Sequence, residues 1–549
     1  MRNLLALFLA FCMLCSLASC GKDGSDASDS TLNGSDSGEG TPEGVVLIEN
    51  GVAQYGIVYE DSKFEDAAFL LQDELTRKTG VKFKANKFEV KDYERFIYIG
   101  HDYNDLQIDE KHLTYSGYAV VPRDGDLYIC GYQKDVVTLA VQKFNAHLVP
   151  EQHVTKGNDG KTSRAVIPAS SFLFYNPDYA WKNPKLLDAP LSEYRVVISD
   201  NANPAVKELS TILIEEIGRQ TGFLLEKVTD ATTPRAREIV IGETTRAMSA
   251  ELMDDLKAEE FRLKSSESSV YLAYGSFLSY SDAVSELKTF CDEAEETSID
   301  LNDSVDETYG LYKSDESKMR IMSSNVLFYH YYNFAGYLSA AARQYVNADC
   351  YLTYLPDIIG GQEICDDNAR ILDSELGELY SAVHTGGPAI YYLKDKYRVE
   401  ETKHMKFEHA GACVWARFSS LSDPEMQFIV MSLHYSPYAL DTRMPGVKQV
   451  NAELKALQEL YPTMPIIIPG DYNSRLDGVE HQTMVEGLAN PMCPARKVAA
   501  NLGSGTTVVD FIFVTTDFIN VEQYHVILYP TIYKASDHKP VLIDITFKN

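Results

Sequence analysis

The stretch IIIPGDYNSR, residues 466–475, is an apolar run that stops abruptly on Gly-Asp-Tyr-Asn. A β-branched run bounded by such residues reads as a buried strand. Its end presents a carboxylate, Asp471, and a carboxamide, Asn473. Residues two apart on a strand share a face, so the pair is expected to address one group of atoms together. Gly470 just before them leaves room for the backbone to turn and to approach a neighbour closely.

From Met319 onward other apolar runs end in the same way. RIMSSNV brings Asn325 to a strand end, PDIIGGQEI closes on Glu363, and QFIVMSLHYS ends on His434. VVDFIFV carries Asp510, and ASDHKPVLIDI places Asp537 and His538 just before the last strand. Taken singly, each has a plainer reading: a structural histidine, a salt-bridge partner, a turn cap. Together the strand ends supply four carboxylates, two carboxamides and two imidazoles. A hard divalent cation such as Mg²⁺, or Mn²⁺ in its place, takes a few carboxylate oxygens and keeps several waters. Phosphoryl chemistry needs such a cation, donors to the non-bridging oxygens and a group that orients a water for in-line attack. All three are present in this set.

The whole chain bounds the answer. With 549 residues and 45% hydrophobic content it is long enough for about three folded units. A formal net charge of −30 argues against a protein that coats nucleic acid by neutralising phosphates, though not against an enzyme that touches a few of them. Residues 319–549 hold 18 Lys and Arg against 26 Asp and Glu, a balance of −8 that is not the basic face expected for duplex DNA. A small or exposed phosphate ester suits that charge better. Arg443, Arg475 and Lys539 are candidate phosphate contacts, each also readable as an ordinary surface charge.

Residues 1–20, MRNLLALFLAFCMLCSLASC, carry an early Arg2, an apolar stretch and then small residues, the layout of an export signal. The closing LASC before Gly21 resembles the lipobox of bacterial lipoproteins, which implies cleavage before Cys20 and a lipid on its thiol. The chain would then be held outside the cytoplasmic membrane. Residues 21–44 are nearly devoid of apolar side chains and read as a flexible tether.

The middle of the chain repeats. AAFLLQDELTRKTG ending at Gly80 matches LSTILIEEIGRQTG ending at Gly222, and RFIYIG ending at Gly100 matches REIVIG ending at Gly242. Both pairs share one offset, which predicts duplicated α/β modules over residues 45–151 and 191–297. Each is expected to run strand, helix, strand, strand or hairpin, helix. The pattern resembles the α/β domain found at the N-terminus of several carbohydrate-active enzymes, so glycan or partner contact stands beside a purely structural role. Residues 152–190 read as a linker whose Tyr175, Tyr179 and Trp181 could stack on sugars or pack on a module; the acidic 298–318 segment reads as a second linker.

SSNV, PDIIGGQEI, SLHYS, GDYN, DFIFV and SDHKPV occur in the order and approximate spacing of the endonuclease/exonuclease/phosphatase family. Residues 319–549 resemble that family throughout. The resemblance implies a four-layer α/β sandwich and metal-dependent phosphoester cleavage. By position it implies Glu363 as the metal ligand with Asn325 and Asp537 nearby, Asp471 as the residue orienting or deprotonating water, and Asn473 as a phosphate holder. Asp537 would fix His538, His434 would serve the leaving group, and Asp510 would attend the second histidine or the metal. Ser324 stands where the family often has Phe, and Gly361 where Leu is common. The expected activity is a surface-anchored nuclease or phosphodiesterase, with a sphingomyelinase-like or inositol or sugar-phosphate phosphatase as the alternative. A binding lipoprotein with an inactive scaffold domain is the reading of another class.

Overall fold

The computed structural model describes residues 44–548 apart from residues 60, 101–112, 148–153, 159, 168–172, 188, 267, 293–303, 306–316, 331–335, 385 and 496–507. The expected export signal, Cys20 and the tether to residue 43 lie outside the described residues. No described helix is long and apolar enough to cross a membrane. The chain forms two compact units, one of residues to Lys182 with Gly218–Leu224, the other of Asn183–Ile217 with Leu225 onward.

In the first unit the elements run β1 (Tyr55–Val58), α1 (Glu65–Thr79), β2 (Ala85–Asn86), β3 (Arg95–Ile99), β4 (Tyr118–Arg123), β5 (Asp126–Gly131) and α2 (Lys134–His147). The helix α1 stops where the sequence places Gly80, whose φ of +70° lets its N–H reach back to Thr76 O at 2.8 Å. The sheet order is Leu173–Tyr175, β4, β5, β3, β1, β2, and a four-stranded sheet built on Val45–Glu49 stands beside it. Tyr175 packs on Tyr118 with ring centroids 5.1 Å apart, and Tyr179 Oη accepts from Ser116 N at 3.0 Å, so both rings are held by their own unit.

The second unit begins with β6 (Arg195–Ile198), α3 (Pro204–Thr221), β7 (Glu226–Thr229), β8 (Glu238–Ile241), β9 (Glu260–Ser266), β10 (Ser269–Tyr274) and α4 (Phe277–Asp292). Its sheet order is Ser304–Val305, β9, β10, β8, β6, β7. Strand for strand, in order and in direction, this repeats the first sheet. The hydrophobic spacing that matched the two segments thus corresponds to one topology built twice.

The remainder of this unit holds β11 (Met319–Asn325), α5 (Ala340–Tyr354), β12 (Ile358–Gln362), α6 (Asp366–Leu376), β13 (Tyr380–His384), β14 (Ala389–Leu393), β15 (Tyr397–Lys406), β16 (Gly411–Ser420) and β17 (Gln427–Tyr435). It continues with α7 (Leu440–Leu460), β18 (Ile466–Asp471), α8 (Val479–Val485), β19 (Met492–Pro494), β20 (Asp510–Thr515), β21 (Ile519–Val526), α9 (Pro530–Ala535) and β22 (Val541–Phe547). Two six-stranded sheets result, ordered β13-β14-β12-β11-β22-β21 and β15-β16-β17-β18-β20-β19. Ile321, Ile358, Ile390 and Ile543 of the first sheet share one core with Val414, Val430, Ile467 and Ile512 of the second. The alternate residues Ile429, Met431, Ile466 and Ile468 pack against Val447, Val450 and Leu454 of α7. On the first sheet Met322, Ile359, Tyr391 and Leu542 are likewise buried, and Tyr391 Oη donates to Asp373 of α6 at 3.1 Å. Burial on both faces explains why these strands read as unbroken apolar runs. The result is helix, sheet, sheet, helix, the four layers anticipated.

The sheets approach closely where Gly360 of β12 faces Pro469 of β18: a Cβ added at Gly360 would lie 2.3 Å from Pro469 Cγ. At Gly361 the missing side chain is replaced by a neighbour, since Ile364 Cδ1 stands 2.2 Å from where a Cβ would be. The space beside Gly361 is therefore filled.

Candidate active site

Strand register assembles the site. In the parallel pair β17–β18, His434 lies opposite Asp471, and in the antiparallel pair β18–β20, Asp471 lies opposite Asp510. Asn325 ends β11 across from Gln362, so Glu363 follows at the same edge. Two carboxylates directly opposite on adjacent strands repel one another, so Asp471 and Asp510 require positive charge or hydrogen-bond donors at this place.

Those donors converge on Asp471, whose side chain is 1% exposed. Its Oδ2 accepts from Asn325 Nδ2 at 3.1 Å and Asn473 Nδ2 at 3.3 Å. His434 Nε2 stands 3.4 Å from the same oxygen and His538 Nε2 3.7 Å. Asn325 Nδ2 also donates to Glu363 Oε1 at 3.0 Å, bridging the two carboxylates, while Phe328 N donates to Glu363 Oε2 at 2.6 Å. Glu363 has φ +61° and Asn473 φ +48°, the left-handed region that side chains other than Gly and Asn seldom occupy. Backbone strain of this kind gathers at functional sites.

The geometry revises three expectations. Asn473 does not join Asp471 by strand alternation: β18 ends at Asp471, and a turn follows in which Asn473 N donates to Asp471 Oδ1 at 2.9 Å. Its Nδ2 points inward to Tyr435 O at 2.9 Å, a use that competes with holding a phosphate. Asp510 takes the place expected of it beside the second histidine, its Oδ2 lying 2.8 Å from His538 Nδ1, and the adjacent Asp537 does not take the role of fixing His538. Asp537 is exposed and, among the described residues, lies outside the two groups that could bind metal. Gly470 serves close approach alone: a Cβ there would lie 2.8 Å from Leu433 O.

Burial by itself would lower the His538 pKa, but Asp510, Asp471 and Asp537 around it raise it to about 10. Burial pushes Asp510 up to about 6 against the opposing pull of His538. The pair therefore carries its proton on the imidazole, a fixed cation beside Asp471. Burial lowers the pKa of Lys539, whose ammonium sits 4.3 Å from the Tyr533 ring centroid and 3.2 Å from Ser536 O. Arg443 is spent on Glu480 at 3.0 Å, and Arg475 pairs with Asp477 on an exposed rim. Of the three candidate phosphate contacts, Lys539 is the one tied to the His538 segment.

Among the described residues two triads could hold a metal ion, Glu363, His434 and Asp471, and Asp471, Asp510 and His538. The donor set fits a hard cation through its carboxylates. Asp510 Oδ1 supports this, being buried with no hydrogen-bond partner among the described residues.

Two residues outside the sequence-based set complete the site. Ser536 Oγ donates to Asn325 O at 2.7 Å and accepts from His538 N at 3.1 Å. Arg343 is fully buried, and its Nη2 donates to Phe328 O at 3.0 Å. Ser536 opens the SDHKPV motif and was legible there; Arg343 lies within a helix pattern that gave no signal.

No family model and no curated protein matches the sequence. Solved structures do match. An endonuclease/exonuclease/phosphatase from Bacteroides vulgatus is 18% identical over 42% of this chain and 99% of its own, TM-score 0.37. The human Nocturnin catalytic domain is 18% identical over 42% and 94%, TM-score 0.36. A mannosyl-6-phosphatase from Bacteroides thetaiotaomicron is 19% identical over 42% and 100%, TM-score 0.35. Each is a likeness, and the chemistry of this site follows from its own side chains.

Proposed function

We propose that residues 319–548 form a metal-dependent phosphoesterase that hydrolyses a small or exposed phosphate ester by in-line attack of water. The observation that carries this is the convergence of two carboxamides and two imidazoles on Asp471 Oδ2, within 3.1–3.7 Å, between Glu363 and Asp510. Asp471 orients the water and accepts its proton. His538, kept protonated by Asp510, places positive charge against a non-bridging phosphate oxygen. His434, on the Glu363 side of Asp471, is placed to assist the departing oxygen. A divalent cation held by Glu363 and Asp471, Mg²⁺ or Mn²⁺, would withdraw charge from the phosphoryl group when bound. The acidic balance of this region favours compact substrates over duplex DNA. The export signal and Cys20 support a lipid-anchored location outside the cytoplasmic membrane.

The test is hydrolysis by the full chain of bis-nitrophenyl phosphate, plasmid DNA, RNA, sphingomyelin and sugar and inositol phosphates, with Mg²⁺, with Mn²⁺ and with chelator. Metal-dependent turnover of one class, lost in Asp471→Asn, is expected. Turnover indifferent to chelator, or an Asp471→Asn variant as active as the parent, would remove the basis of the assignment.

A further inference from the structure

The second α/β repeat, within the same compact unit as the site, meets two of the site's helices through hydrogen bonds. Glu208 on α3 accepts from N of Ser339 at 2.7 Å and from its Oγ, Ser339 being the residue that caps α5. In the opposite direction Asp349 of α5 accepts from Phe277 N, the first residue of α4, at 2.9 Å. Thr531 of α9, 2% exposed, donates to Phe277 O at 2.7 Å and forms a short bond with Ser281 Oγ. Leu338 N donates to Lys534 O at 2.9 Å, tying the start of α5 to α9.

Both helices lead directly to reacting groups. From α5, Arg343 holds Phe328 O at 3.0 Å, and Phe328 N holds Glu363 at 2.6 Å. From α9 the chain runs straight into Ser536, which holds Asn325 O and His538 N. The Phe328 loop and the 536–539 segment have no regular structure of their own, yet catalytic groups must be kept within about 0.5 Å of their working positions. We propose that the second repeat is the positioning element of the active site. Glu208 acts on Glu363 through α5, and Thr531 acts on His538 through α9. Its kinetic readout rests on the hydrolytic reading above; its structural readout does not.

The experiment compares Thr531→Val, Thr531→Ser and Glu208→Gln in the full chain, reading kcat and KM on bis-nitrophenyl phosphate and peptide-resolved hydrogen exchange. Thr531→Val keeps the side chain's shape and removes its donor. It should lower kcat by about 10- to 100-fold, the effect of moving a catalytic group by up to about 1 Å, with KM nearly unchanged. Amides of residues 536–539 should exchange faster, and Thr531→Ser should restore both. Glu208→Gln should accelerate exchange at residues 326–330 instead. Wild-type kcat per folded molecule in Thr531→Val and Glu208→Gln, with only the melting temperature lowered, would overturn the proposal and leave the contacts as plain adhesion. Should the parent hydrolyse nothing, exchange alone decides: faster local exchange at the two segments supports positioning, and unchanged exchange refutes it.

Discussion

Gly360→Ala perturbs the site without touching any of its functional groups. A Cβ at this position would stand 2.3 Å from Pro469 Cγ and 2.7 Å from Pro469 Cβ, about 1 Å inside ordinary contact of 3.4 Å. The proline ring is rigid and lies in a central strand, so the clash must be relieved by parting β12 from β18. Overpacking of this kind costs about 1–3 kcal/mol. At roughly 2–4 °C per kcal/mol for a domain of this size, the melting temperature should fall by about 2–12 °C. Pro469 precedes Asp471 by two residues, and Gly360 precedes Glu363 by three. Parting the strands therefore separates the two carboxylates, and turnover should drop by about 10-fold or more. Gly387→Ala is the control, since nothing lies within 4 Å of its added Cβ. Thermal unfolding and bis-nitrophenyl phosphate kinetics read both effects. A Gly360→Ala variant that melts and turns over like Gly387→Ala would refute the claim that close sheet approach sets the site.

Glu363→Gly and Glu363→Ala should both abolish turnover, but at φ +61° the glycine variant should be the more stable by about 1 kcal/mol; equal melting temperatures would contradict the strain. For His538, whose folded pKa is raised to about 10, the stabilisation is complete below about 6.5 and is lost as pH rises toward 10. Urea titrations with chelator should show that loss in the parent and a smaller one in Asp510→Asn, and identical profiles would rule out the pairing as its source. Burial pushes the Asp349 carboxyl up to about 7, so an unfolded chain releases this proton near pH 4 while the folded chain keeps it. That group's contribution to stability therefore falls between pH 4 and 7. Asp349→Asn, neutral at every pH and still able to accept from Phe277 N, should flatten the fall, and an unaltered slope would exclude Asp349.

Much of the site was legible because it lies at strand ends, where an apolar run must stop and whatever follows it is displayed. Asn325, Glu363, His434 and Asp471 were found that way. What could not be read is which of two offered partners a group takes. The resemblance set both Asp510 and Asp537 beside His538, and only the folded chain shows that the hydrogen bond goes to Asp510. Asn473 misled for a related reason: alternation applies only while the chain stays extended, and here the strand ends at Asp471 and the chain turns at Asn473. The duplicated topology was visible in spacing, since helix stops at glycine and short β-branched runs repeat at a fixed offset. The contacts of Glu208, Ser281 and Thr531 were invisible, because a single polar residue on a helix reads the same whether it meets water or another helix.

The space left by Gly361 couples two positions. Ile364 Cδ1 occupies it, so a side chain at 361 and the present rotamer of Ile364 exclude one another. That atom is the free end of a flexible side chain, and an alanine at 361 is accommodated once Ile364 turns aside. The effect of a change at either position therefore depends on the residue at the other, and the two should be non-additive in a double-mutant cycle.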